Sequence, residues 1–547
     1  MHLAKTHKFD CRYNQAGKYV VLLLLIMLLS LALPGDSQAI YLVRKLSGVM
    51  QDYGDVRYMT GGESAISPDS QYVIFVADAV IDGMFELYSV ALTGGDPVKL
   101  TPTMINGGSV RRFEISADSQ WVVYLADQEQ DERDELYSVP ISGGTVTRLN
   151  SALPYGGDVS QFKITPNGLG VVYLADQDTD DVRELYSNWI DGGTPVHLNS
   201  TLTEGGDVET FQITPNSLGV VYRADQDIDN VNELYSNWII GGTPVQLNPE
   251  LPPLASVQSF EIAPNSQVVV YQMDQLVTGM YELYQVAITG GASSHLNGTL
   301  PLGGSVGPFK ISADNQNVVY LADQDIVDQR ELYRVPIGGG ASIRLNNDLV
   351  SGGSVFEFKL SEDSQRVVYR GEIGAVGRYE LYSVPITGGT AVRLNGPLVS
   401  GGDVFLYKLT ANSLGVVYLA DQRIDEVVEL YSVPIVGGSP IQLNPNLVSG
   451  RSVDIFGITP NSLGVVYHAN QDTQSTDELY IVSILGGQSY KLNSPLVANG
   501  NVDYAGFKIA PNSQAVIYRA DQEIDDKFEL YLTIEGQAIF LPLAENQ

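Results

Sequence analysis

Cysteine occurs once in the 547 residues, at Cys11, and histidine only five times. A single thiol excludes a disulfide scaffold and any zinc site built on cysteine. The histidines are widely scattered, which leaves little for metal-dependent hydrolysis or a nucleophilic triad. A Gly-x-Ser-x-Gly elbow leading into a helix is lacking, since the one such string, Gly303 to Gly307, runs into a strand pattern, and His-Glu-x-x-His and a phosphate-cradling glycine loop are missing. Positive charge is scarce too: 31 Lys and Arg face 64 Asp and Glu, for a formal net charge of −33. Neutralising phosphates takes clustered Lys and Arg, so nucleic acid is excluded as a partner. Hydrophobic content of 44% with 17% charged residues is still that of a globular chain with a core to bury. At about 150 residues per domain the length alone suggests three or four domains.

The one long apolar run lies near the start. Lys5, Lys8, Arg12 and Lys18 precede Tyr19 to Met27, and the run continues through Leu28, Leu29, Leu31 and Leu33 to the break at Pro34-Gly35-Asp36. Ser37-Gln38-Ala39 then sets small residues at the two positions a signal peptidase reads. A basic region, an apolar stretch of about 15 residues and a small-x-small site describe a secretory signal peptide over 1–39. An uncleaved anchor would want about 20 apolar residues. The expectation is an exported protein, periplasmic or extracellular, with no membrane span after cleavage. Cys11 precedes the apolar run, so it is not a lipidation site behind it, and the mature chain 40–547 has no cysteine. Cleavage leaves 27 basic against 62 acidic residues, a formal charge of −35.

What is abundant is repetition. Glu-Leu-Tyr begins at Glu86, Glu135, Glu184, Glu233, Glu282, Glu331, Glu380, Glu429, Glu478 and Glu529, at intervals of 49 residues eight times and then 51. The two extra residues are assigned to the connector before Phe507. In the unit Asp158 to Asn199, Val159, Phe162 and Ile164 mark a short strand and Thr165-Pro166-Asn167-Gly168 a turn. Val171 to Ala175 form a β-branched and aromatic second strand, and Asp176 to Arg183 a polar loop. Glu184, Tyr186 and Ile190 belong to a third strand, the Gly192-Gly193 pair to a tight hairpin turn, and Pro195, Val196 and Leu198 to a fourth strand. Sustained 3.6-residue periodicity is lacking after residue 39, so helices are expected to be nearly absent.

Four antiparallel strands in each repeat predict an all-β chain, a β-propeller of ten 49-residue blades. Each blade has two apolar faces that only stacking on its neighbours can bury. A β-solenoid is the alternative, but its coils run about 20 to 30 residues. Two smaller rings would need a distinct linker, whereas every connector is alike, including Asn297 to Ser305 at the midpoint. One ten-bladed ring is therefore expected. Ile40 to Leu46 is expected to add a strand that fastens the last blade, at Ile539 to Leu543, to the first.

Ser67-Pro68-Asp69-Ser70, Val73 to Phe75, Asp78, Glu86-Leu87-Tyr88 and the Gly94-Gly95 turn resemble the WD40-like PD40 repeat of TolB-type propellers. The pattern recurs in all ten units, over about residues 60 to 540. The resemblance implies a propeller fold and leaves activity open. Unlike TolB, this chain has no α/β domain ahead of its repeats. It also lacks room for the hydrolase domain that prolyl-oligopeptidase relatives set beside such a propeller. Rings of six to eight blades are usual in that family.

The acidity is local. Nine-residue windows running from the acid after the second strand to the glutamate of Glu-Leu-Tyr hold 38 of the 62 mature acidic residues, and only six basic ones: Arg133, Arg183, Arg330, Arg378, Arg423 and Lys527. In an up-and-down blade these loops share one rim with the blade connectors, so a one-sided negative field is expected. Carboxylates about 4 Å apart repel by roughly 4 kcal/mol at an effective dielectric near 20, which bound cations or arginines would relieve. The sharpest pattern is Asp176-x-Asp178-x-Asp180 with Glu184, and Asp225-x-Asp227-x-Asp229 with Glu233. Alternating carboxylates that converge with a later glutamate can cage calcium. The spacing is not that of an EF-hand, and the same residues also serve as plain hairpin caps.

His197, His295 and His468 are expected at ordinary surface positions, since repeats elsewhere place Gln246, Arg344 or Lys491 there. Trp189 and Trp238 share one repeat position and, with Trp121, are expected to pack on blade surfaces. Ser109, Asp158, Asp207, Ser305, Ser354 and Asp403 begin the innermost strands and face the channel mouth. The expected function is a monomeric binding or scaffolding module that docks a protein or polysaccharide on its acidic rim. A lyase or hydrolase using channel-mouth carboxylates, or an envelope structural or adhesion role, are the alternatives. A single polar cluster breaking the tenfold pattern favours an enzyme, and dispersed breaks favour docking.

Overall fold

The computed structural model describes residues 40–57, 66–252, 255–274 and 279–536. By contacts the chain divides into Met1–Ile40 with Glu535–Gln547, and Tyr41–Ile534, which is the ring of blades. The leader expected over 1–39 and the segment Ile539 to Leu543 lie outside the described residues.

The third blade shows how the repeat becomes structure. Val159–Ile164, Gly170–Ala175, Glu184–Trp189 and Val196–His197 pair antiparallel in chain order. All six residues of the second strand are buried, because sheets on either side cover both its faces. Tyr173 lies opposite Tyr186, with ring centroids 5.5 Å apart at 21°. Equivalent stacks occur in every blade, with Phe75–Tyr88 in the first, each worth about 0.5–1.5 kcal/mol beyond its burial. Gly192 and Gly193 both sit at positive φ, and a Cβ on Gly192 would come 2.8 Å from Thr147 of the preceding blade. The Gly pair therefore serves the turn and the close approach of neighbouring blades.

Ten such sheets form one ten-bladed ring, and the described residues contain no helix. The first blade shows three strands, with bridges Val56–Ala77 and Ile66–Val73 marking the place of its inner strand. The last blade is completed from the other end of the chain: Ile40–Lys45 lies beside Glu529–Gly536 as the outermost strand. The Leu46 amide donates to Leu530 O at 2.7 Å, as Leu100 donates to Leu87 in the first blade. Ile40 to Leu46 does fasten the ring, then, but its partner is the strand that begins at Glu529. The two extra residues of the last repeat are also displaced from their expected place. Val502 pairs with Ala520 and Phe507 with Tyr518, where the preceding blade pairs Val453 with Ala469 and Phe456 with Tyr467. The insertion is thus a bulge inside the inner strand, where it breaks the ladder without lengthening the connector.

There is no single core. Ten apolar clusters each join one blade to the next, and one of them joins Val73, Phe75 and Tyr88 to Ile517, Leu530 and Leu532 across the closure. Two belts of hydrogen bonds run around the ring above and below these clusters. On the rim of the Thr-Pro-Asn turns, a serine at φ near +60° accepts from the turn amide of the preceding blade, as in Asn167 N to Ser217 Oγ at 3.0 Å. Nine of ten interfaces carry this link, with Asn315 as acceptor in one and Asn512 to Ser70 closing the circle. The break falls at Asp118, whose counterpart is Gly168. On the other rim, Asp158, Asp207 and Asp403 each accept, at 2.7 Å, the amide before the preceding blade's Glu-Leu-Tyr. Ser109, Ser305 and Ser354 do the same at 3.1–3.4 Å.

The gap at Gly168 makes a test of the first belt. A Cβ there meets Asp118 at ordinary contact distance, 3.5 Å, and φ is +74° as at the serines. G168A carries the left-handed strain alone and is expected to lose about 1 kcal/mol. G168S adds the missing acceptor and should be about 1 kcal/mol more stable than G168A by denaturant unfolding. Equal stabilities would show that the belt contributes nothing.

Candidate functional site

The acidic loops run from the second to the third strand of each blade, on the rim of the connectors. Their two end positions are built into the fold. The first acid accepts the amide that opens its own blade's inner strand: Asp176 from Asp158, and Asp225 from Asp207 at 2.6 Å. Its other oxygen accepts an amide five residues on, Asp181 at 3.3 Å and Asn230 at 3.0 Å. The last acid, the glutamate of Glu-Leu-Tyr, accepts the tyrosine hydroxyl two residues later in all ten blades, at 2.8–3.2 Å.

That glutamate has a second partner on the fourth strand. Lys99, Arg148, His197, Gln246, His295, Arg344, Arg393, Gln442 and Lys491 lie 2.6–3.2 Å from it, and Lys45 completes the set at the closure. His197 and His295 are exposed, as expected, but their positions have a structural task. They hold whichever donor satisfies a nearly buried carboxylate. The donor tunes it: burial pushes the Glu184 carboxyl up, but the His197 and Tyr186 bonds outweigh this and hold it below the usual range. Opposite neutral Gln246 and near Asp227, burial wins and the Glu233 carboxyl is raised. The paired tyrosines, such as Tyr235, are kept protonated by burial and by the adjacent carboxylate.

The middle positions face solvent. Asp178, Asp180, Asp227 and Asp229 are all exposed. Within the predicted sets, Asp227 meets Glu233 at the Tyr235 hydroxyl, 3.1 and 2.9 Å away, so two carboxylates share one proton. Asp180 lies over the connector, where a Cβ on Gly156 would come 2.5 Å from its Oδ1. Carboxylate oxygens close in most tightly in the tenth loop. Asp521, Asp525 and Asp526 bring one ligand atom each within 4.8 Å of one another, and could hold a metal. They are the repeat equivalents of Asp176, Asp180 and Asp181. The loop reads Asp521-x-Glu523-x-Asp525 with Glu529 eight positions after the first aspartate, the same alternation as in the third loop but with glutamate at its middle position. Asp521 accepts one amide on each oxygen, which leaves each a lone pair for a cation.

The second cluster is Asp454, His468 and Asp477. His468 is 1% exposed, a correction to its expected surface position. Its Nδ1 lies 3.0 Å from Asp454 Oδ2 and its Nε2 2.9 Å from Val502 O. Both neighbours are acceptors, so the ring is satisfied as the imidazolium. Burial opposes that charge, but the Asp454 and Val502 bonds raise the His468 pKa above its usual 6.5. Arg223, Gln272, Arg370 and Arg519 hold the same repeat position and reach the same carbonyl of the next blade. His468 is thus one of a set of inter-blade links, charged where its neighbours include Asp454. Trp189 and Trp238 lie at the blade surface, each 57% exposed. The channel-mouth serines and aspartates belong to the belt of amide acceptors described above.

No family model matches the chain, and no curated protein does. Among solved structures it is similar to a prolyl endopeptidase, at 12% identity and TM-score 0.39 over 68% of this chain and 55% of that one. It is similar to a TolB from Agrobacterium tumefaciens, at 18% identity and TM-score 0.26 over 43% and 79%. An oligogalacturonate lyase from Vibrio parahaemolyticus gives 12% identity and TM-score 0.34 over 64% and 94%. The chain spans about half the length of the prolyl endopeptidase. At such values these likenesses assign no activity to this chain.

The charged link at His468 makes stability depend on pH. Its pKa is higher folded than unfolded, so its contribution is complete below about pH 6.5 and lost as pH rises through the folded value. H468Q keeps a donor for the Val502 carbonyl, as Gln272 does for Val306. The wild-type melting midpoint should fall more steeply than that of H468Q between about pH 6 and 9. Parallel curves would mean that His468 has the same pKa folded and unfolded.

Proposed function

We propose that this chain is an exported binding or scaffolding propeller whose acidic rim docks a protein or polysaccharide partner through cationic or metal-bridged contacts. The observation that supports this most is the division of labour in the loops. End acids are absorbed by the fold while middle ones are presented on a single rim by eight of the ten blades, the fifth and seventh having none. Holding many like charges together favours cationic counter-surfaces and divalent ions. Calcium is the ion assigned, bound weakly. Asp521, Asp525 and Asp526 lie close enough together to share it in the tenth loop, and the alternating carboxylates Asp176, Asp178, Asp180 and Glu184, with Asp225, Asp227, Asp229 and Glu233, are proposed for it in the third and fourth on their sequence pattern.

The alternative, a lyase or hydrolase at the channel mouth, is less well supported, because Asp158, Asp207 and Asp403 already accept backbone amides there. Export rests on the leader at 1–39; no helix among the described residues is long and apolar enough to cross a membrane. The repeat's likeness to the PD40 repeat supports a monomeric propeller of that kind.

Melting in calcium and then in chelator tests the rim. With a Kd near 1 mM, about 10 mM calcium should add roughly 1.4 kcal/mol per site, and D525N/D526N should remove the tenth loop's share. Identical midpoints with and without calcium would rule the ion out. Pulldown from envelope fractions, with and without calcium, tests the docking role, and N-terminal sequencing of exported protein should begin at Ile40.

A further inference from the structure

At the end of the inner strands, opposite the acidic loops, three neighbouring blades gather positive charge. The penultimate position of the inner strand is Lys310, Lys359 and Lys408 in three consecutive blades, and all three line one depression of about 480 Å³. Lys508 adds its charge next to Lys408 across the gap left by Gly457.

Elsewhere the same position is neutralised or uncharged. Lys163 pairs with Glu114 at 2.6 Å, and Lys310 with Glu261 at 3.2 Å. Gln212 donates to Phe260 O of the next blade at 2.8 Å. Lys359 and Lys408 make that same bond, to Tyr407 O at 2.6 Å and Phe456 O at 2.7 Å, each ammonium lying over the ring of the residue it bonds. Among the described residues neither has a carboxylate within ion-pair distance. One of three N–H donors is used in each, and the others remain for a ligand. Gln212 shows that the inter-blade bond needs no charge. The charges at 359 and 408 gain a ring contact, but they stand half-buried beside one another with no carboxylate paired to either. Burial lowers the pKa of both lysines, and at Lys408 the neighbouring Lys359 and Lys508 lower it further. An anion in the depression would reverse that cost.

We infer that Lys359 and Lys408, flanked by Lys310 in its pair with Glu261, form a binding site for a small multivalent oxyanion, a phosphate or polycarboxylate, independent of the acidic rim. Glu362 is the one carboxylate lining the depression and opposes such a ligand.

The experiment is calorimetric titration and thermal melting of the full chain with inorganic phosphate and with citrate, at ionic strength held constant with sodium chloride. One or both anions should bind and raise the midpoint, and the one that does so assigns the class. K359Q/K408Q retains the inter-blade bonds in the manner of Gln212, so its midpoint without anion should be unchanged while affinity falls at least tenfold. E362Q should bind more tightly than wild type, a gain that a folding defect cannot imitate. Absence of binding to either anion, equal binding by K359Q/K408Q, or an equal shift from chloride alone would overturn the assignment.

Discussion

The structure depends on a buried carboxylate that cannot be left alone. The glutamate of Glu-Leu-Tyr is almost fully enclosed in most blades, and an isolated charge there would cost several kcal/mol. The tyrosine hydroxyl on its own strand and a donor on the fourth strand share the task of satisfying it. Since the fourth strand has only two ladder residues, this side-chain contact does much of the work of holding it to the blade. The tyrosine ring, held by its hydroxyl, then stacks on the ring of the second strand and fixes the inter-blade packing. One carboxylate thus couples strand pairing to core packing, ten times over.

Around that constant, the ring is a set of equal interfaces, and function must come from where they are unequal. Some of these inequalities meet and others stand apart. Histidine replaces arginine at 468, the inner strand bulges between Val502 and Phe507, tryptophans project at 189 and 238, and lysines gather at 310, 359 and 408. His468 and the bulge meet at one interface, through the Val502 carbonyl and the Tyr504 ring, while the tryptophans and the lysines lie on other blades.

The fold was open to inspection in the sequence because its signals are local and repeated: strand periodicity, Gly pairs, and Glu-Leu-Tyr in constant register. Even the closing strand at Ile40 could be foreseen, although not its partner, since a two-residue edge strand offers little pattern to align. What escaped was anything set by contact between blades. Nothing in the spacing of His468 shows that its ring would be enclosed by the next blade's carbonyl, and the serine after each turn reads as a turn residue, not as a neighbour's acceptor. The loop acids looked alike in the sequence. Only packing separates Asp176 and Glu184, drawn into the fold, from Asp178 and Asp180, which stay in water.

The outermost strand of the last blade comes from the opposite end of the chain, and this bears on how the molecule is made. Leu46 must find Leu530 across 484 residues. The entropy of closing so long a loop grows only with the logarithm of its length, so the finished ring bears little extra burden. The time order is less forgiving. As the chain emerges, nine blades can stack one upon another while the first presents an uncovered face and the Ile40 segment waits unpaired. Until synthesis reaches Glu529, the growing protein is an open arc with two sticky ends, able to pair with a second arc as readily as with itself. Its many negative charges, on a rim that is finished early, would hold such arcs apart.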